Sequence, residues 1–71
     1  MWRFKDRAGK TWDVALRRES WGVLCVLFVE QAGGGVRRVQ LPDGNEREAN
    51  ARLDLLENEG WQAMLDDALA T

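Results

Sequence analysis

The chain has 71 residues, with ten Lys/Arg against twelve Asp/Glu, one cysteine, no histidine and no tyrosine. That length makes a single domain, 1–71, which buries only about 60% of the surface its unfolded form exposes. One cysteine excludes an internal disulfide and the missing histidines remove the commonest metal ligand, so self-association is the remaining aid to stability. The charge is split along the chain: residues 1–41 hold eight Lys/Arg and four Asp/Glu, net +4, and residues 42–71 hold two and eight, net −6. The split coincides with a switch from alternating to helical spacing of apolar residues, which reads as a basic sheet followed by an acidic helical part. Two such halves can attract each other or a partner.

Trp2 and Phe4 alternate with Arg3 and Lys5, and Trp12, Val14 and Leu16 alternate with Thr11, Asp13, Ala15 and Arg17, the period-2 pattern of half-buried strands. Asp6-Arg7-Ala8-Gly9-Lys10 between them fits a three-residue hairpin loop with glycine in the left-handed position. This predicts Phe4 opposite Trp12 and Trp2 opposite Val14, all on one face. Residues 23–29 are an unbroken apolar run, expected to be a central strand covered on both faces: Leu24, Val26 and Phe28 on one, Val23, Cys25, Leu27 and Val29 on the other. Gly33-Gly34-Gly35 turns into a fourth strand over 36–41, with Val39 and Leu41 inward. Asp43 and Glu46 have capping-box spacing and predict a helix start near residue 44, with Ala49, Leu53 and Leu56 as its apolar stripe and Leu55 at the margin. A break at Glu57-Asn58-Glu59-Gly60 precedes Trp61, Met64, Leu65, Ala68 and Leu69, an i, i+3, i+4, i+7, i+8 stripe that predicts a second helix through residue 69. Asp66 and Asp67 near its C-terminus oppose the helix dipole and call for a partner. The expected fold is α+β: a four-stranded antiparallel meander in the order 1-2-3-4 with two C-terminal helices across the Trp2/Phe4/Trp12/Val14 face.

Without histidine or tyrosine, the usual general bases reduce to carboxylates and the two lysines, Lys5 and Lys10, which points away from an enzyme. Cys25, flanked by leucine and valine, reads as a structural thiol, and its presence unpaired suits a reducing compartment. Neither Asp43 nor Asp66-Asp67 has calcium-loop spacing, and the glycine run lacks the ending of a phosphate loop, so no cofactor and no metal are expected. The apolar run is too short for a bilayer and Met1–Asp6 alternates charge with aromatics, giving the expectation of a cytoplasmic protein with no membrane role.

Two kinds of partner are then weighed. A protein partner, with a homodimer as one form, follows if the Val23/Leu27/Val29 side of the third strand lacks a cover; a sheet that curls on itself would bury that side instead. Trp21, in the loop with Arg17 and Arg18, is the best single contact residue, since Trp12 and Trp61 are in core phase. Nucleic acid is the alternative, through Arg3, Lys5, Arg17 and one of Arg37 and Arg38 on the sheet face opposite the tryptophans. The pattern Phe4-x-Asp6-x-x-Gly9-x-x-Trp12-x-Val14, followed by the apolar strand and Arg37-Arg38, resembles that of short bacterial proteins and carries no activity with it. In size, acidity and lack of catalytic residue types the chain is also similar to phage-encoded inhibitors that bind a host protein. The expected function is therefore that of a small protein-interaction module.

Overall fold

The computed structural model describes residues 1–19 and 22–70, with backbone only for 69–70. Its elements in chain order are β1 (Trp2–Lys5), β2 (Thr11–Arg18), β3 (Leu24–Glu30), β4 (Val36–Gln40), α1 (Glu46–Asp54), α2 (Asn58–Asp67) and β5 (Leu69–Ala70). The strands form one open antiparallel sheet in the order β1-β2-β3-β4-β5, so the four-stranded meander and the two helices stand as expected. The sheet does not curl into a barrel.

The first hairpin has the predicted register, Trp2 opposite Val14 and Phe4 opposite Trp12. Its loop closes with the Asp6 amide donating to the Lys10 carbonyl at 2.8 Å and the Gly9 amide to the Asp6 carbonyl at 3.0 Å, and Gly9 has φ +86°. At the β3–β4 turn, Gly34 takes φ +69° and the Glu30 amide donates to the Gly35 carbonyl at 2.8 Å. That turn fixes Val29 opposite Val36 and Leu27 opposite Arg38. Both glycines supply a left-handed backbone that a side chain would strain.

One side of the sheet carries the core. Phe4, Trp12, Val14, Leu24, Val26 and Phe28 meet Leu41 and the helical residues Ala49, Leu53, Trp61 and Leu65, all buried. Trp61 lies at the centre, stacked on Phe4 at 6.2 Å between ring centroids and edge-on to Phe28 at 6.3 Å. Trp12 and Trp61 are thus core residues, and Trp2 packs against Trp61 at 5.6 Å.

Three expectations are corrected. The cap of α1 is Asn45, whose side chain accepts from the amides of Arg47 and Glu48 at 2.9 and 3.2 Å. Asp43 instead accepts from Arg52 at 2.7 Å; Asn45 and Glu48 have the same spacing as Asp43 and Glu46, and the residue adjoining the helix wins. Second, α2 stops at Asp67 and Ala68 is extended, with ψ 141°. Asp66 and Asp67 weaken the last turn, and the released backbone pairs with β4, Arg37 opposite Ala70 and Arg38 opposite Leu69. Third, among the described residues β3 is covered by secondary structure on one face only, the helices packing on the side of Leu24, Val26 and Phe28.

Candidate functional site

Alternation along β2, β3 and β4 places Asp13, Ala15, Arg17, Cys25, Leu27, Val29, Val36, Arg38 and Gln40 on the sheet face away from the helices. Its apolar centre is Ala15, Leu27, Val29 and Val36. Val29 is 41% exposed, and the other three are half-buried by neighbouring side chains. Val23 precedes β3, and its carbonyl accepts the Glu19 amide at 2.7 Å to close the β2–β3 connection. It is therefore not a strand member of this face. Trp21 lies outside the described residues.

Charged side chains bracket the apolar centre. At one end Arg3 Nε donates to Asp13 at 2.8 Å, and Gln31 Nε2 reaches the same carboxylate at 3.3 Å. At the other end Glu19 Oε1 accepts from both Arg38 Nε and the Cys25 thiol, the latter at 3.1 Å. The Cys25 hydrogen bond, seconded by Arg38, holds the Glu19 carboxyl below its ordinary pKa. Burial, and then Glu19, push the Cys25 thiol up, which keeps it protonated. Cys25 is 1% exposed, in line with a structural thiol. Arg17 is exposed and acts on Glu19 through space, and Arg18 Nη1 donates to the Gly22 carbonyl at 3.2 Å. Together Arg17, Arg18, Glu19, Cys25, Leu27, Val36 and Arg38 line a shallow hollow.

The basic residues proposed for nucleic acid are only partly brought together. Arg38, not Arg37, is the one that shares the outer face with Arg3 and Arg17. Arg37 lies on the helical side, 5.4 Å from the Trp12 ring centroid, a cation–π distance. Arg3 and Arg38 are engaged by Asp13 and Glu19. Lys5 is exposed at the far end, where it borders a second hollow with Asp6, Arg7, Asn58, Glu59 and Gln62. Asp66, on α2, accepts from Gln62 at 2.9 Å and lies 3.7 Å from Arg7, which supplies the partner its position calls for.

Glu19 was missed by sequence reasoning, although it is the centre of the outer-face cluster. Its position follows β2 directly, but its contacts depend on the β3–β4 register, which no local spacing reveals. Among the described residues no group of three or more His, Cys, Asp and Glu could hold a metal ion, and no helix is long and apolar enough to cross a membrane. Compared with known proteins, the chain matches no family model, no curated protein and no solved structure.

Proposed function

We propose that this chain is a non-enzymatic protein-interaction module whose binding surface is the outer face of the sheet. The carrying observation is the asymmetry of β3. Its Leu24, Val26 and Phe28 are wholly buried under the helices, whereas Leu27 and Val29, with Ala15 and Val36 beside them, face outward with no helix or strand over them among the described residues. An apolar strip rimmed by charge is what a small protein interface presents. The residue types support a binding role, since neither histidine nor tyrosine is present and the lone thiol is held protonated.

Association that depends on the strip tests this reading. Val29→Lys and Leu27→Glu remove it at its outer-face centre and leave the helix-covered core untouched. Light scattering across a wide concentration range reports a self-complex as twice the 8.1 kDa chain mass, and capture from cell extract reports a foreign partner. The expected result is a complex formed by the natural chain and lost in both variants, with the melting transition retained. Equal association by natural and variant chains would sink the proposal.

The nucleic-acid alternative is weakened by the ion pairs of Arg3 and Arg38 and by the position of Arg37. On that reading binding should weaken steeply with salt and fall when Arg3, Arg17 and Arg38 are replaced.

A further inference from the structure

Given that the outer face is the interaction surface proposed above, the hollow at its β2–β3 end indicates what occupies it. Among the described residues, three guanidinium groups, Arg17, Arg18 and Arg38, surround this hollow, and Glu19 is the one carboxylate lining it. The balance of these four groups is net +2, over a floor that includes Cys25, Leu27 and Val36. The protein's own carboxylate already shows the chemistry the hollow accommodates, because one Glu19 oxygen takes donors from both Arg38 and Cys25. Arg17 and Arg18 retain further donors, and a guanidinium matches a carboxylate with two parallel N–H groups. The adjoining Leu27 and Val29 offer an aliphatic surface to whatever lies next to that carboxylate.

We propose that this hollow binds an acidic, partly apolar segment of a partner protein, a carboxylate of that segment joining or displacing Glu19 among Arg17, Arg18 and Arg38 while an adjacent apolar side chain covers Leu27 and Val29. Charge complementarity selects against a second copy of this chain, because face-to-face packing would oppose two net-positive surfaces. A copy's acidic residues lie mostly in its helical half, and docking that half on the sheet face would be head-to-tail, giving a ring or an open filament rather than a face-to-face dimer. The area points the same way. Three strands about 4.8 Å apart and three residue rows about 6.8 Å apart give a patch of a few hundred Å² at most, below the roughly 800 Å² per partner of a stable interface. A short segment fits that area. Nucleic acid is disfavoured because the described residues of this face include no aromatic ring on which a base could stack.

The test uses the full chain and amide-resolved NMR. A blocked hexapeptide alternating leucine with glutamate is the probe, with a leucine–lysine hexapeptide and an oligothymidylate as comparisons. The expected result is saturable shifts centred on the amides of Arg17, Leu27 and Arg38 below about 1 mM peptide at low salt. Arg17→Glu should weaken that binding about tenfold. Glu19→Gln, which removes the competing charge, should strengthen it severalfold. Equal binding of the leucine–lysine peptide, or indifference to Arg17→Glu, overturns the acidic partner but leaves the outer face as an interaction surface. Shifts with the oligothymidylate alone overturn the proposal in favour of nucleic acid. Absence of shifts with all three probes also overturns it, and the Val29→Lys association measurement then decides the broader reading separately.

Discussion

The Asp6 carboxylate closes the first hairpin and seats a core tryptophan. Its Oδ1 accepts from the Ala8 and Lys10 amides at 2.9 and 2.8 Å, and Oδ2 accepts from Trp12 Nε1 at 2.8 Å. The turn role was legible, because Asp before a type I turn with Gly9 in the left-handed position is local chemistry. The indole bond was not, since it depends on how the Trp12 ring lies in the packed core. Asp6→Ala leaves three donors without this acceptor and should lower the melting temperature by about 8 °C, checked by thermal unfolding. Trp12 above all holds the Asp6 carboxyl below its ordinary pKa, and Arg3 and Arg52 do the same for Asp13 and Asp43. A depressed folded-state pKa adds stability above the unfolded value and loses it as pH falls through the folded one. Stability should therefore hold from neutral pH down to about 4 and fall below it, with a smaller acid-dependent loss in Asp6→Ala.

At the scale of elements, the β1–β2 hairpin could be read completely because loop chemistry and alternation independently demand one register. The third strand could be read only as a strand. An unbroken apolar run has no phase that tells a covered face from an open one, so the sequence did not show that the chain's own helices cover one side only. The structure makes the difference measurable between neighbours. Phe28→Ala opens the helix-covered side and should cost about 3–5 kcal/mol in denaturant unfolding, enough to unfold much of so small a domain. Leu27→Ala, on the outer side, should cost less than half as much, and equal costs would mean that some element covers both faces. The α2–β5 boundary was illegible for a different reason. Ala68 and Leu69 continue the helical stripe, but helix spacing does not record that β4 offers an open edge for two residues of backbone pairing.

Across the whole molecule, the charge split does not act as glue between sheet and helices. Among the described residues one ion pair joins the two halves, Arg7 with Asp66 at 3.7 Å, and both side chains are more than half exposed. Arg3, Lys10 and Arg38 pair with acids of the sheet half itself, and Arg52 with Asp43 in the helical half. An exposed pair contributes little, about 0–1 kcal/mol, and is screened by salt. Raising sodium chloride from about 0.05 to 0.5 M should thus shift the melting temperature by no more than a few degrees; a fall of 10 °C or more, on the order of 2 kcal/mol for a chain this size, would restore electrostatic attraction as the bond between halves. The halves are held by rings, Phe4 and Phe28 against Trp61.

The Trp2 side chain extends that ring cluster to the very edge of the sheet. It lies 5.6 Å from Trp61, and its indole N–H donates to Asp54 at 2.7 Å, so a strand at the start of the chain is clasped by both helices. An edge strand that peels away exposes the backbone of its neighbour, which can then template pairing with other chains and start a fibril. Detaching β1 would break the Trp2 and Phe4 contacts with Trp61 and the bond to Asp54, so this edge opens less readily than a terminal strand held by its ladder alone. This edge of the sheet is therefore guarded by side chains of both helices, whereas among the described residues the opposite edge of β4 is covered by only the two residues of β5.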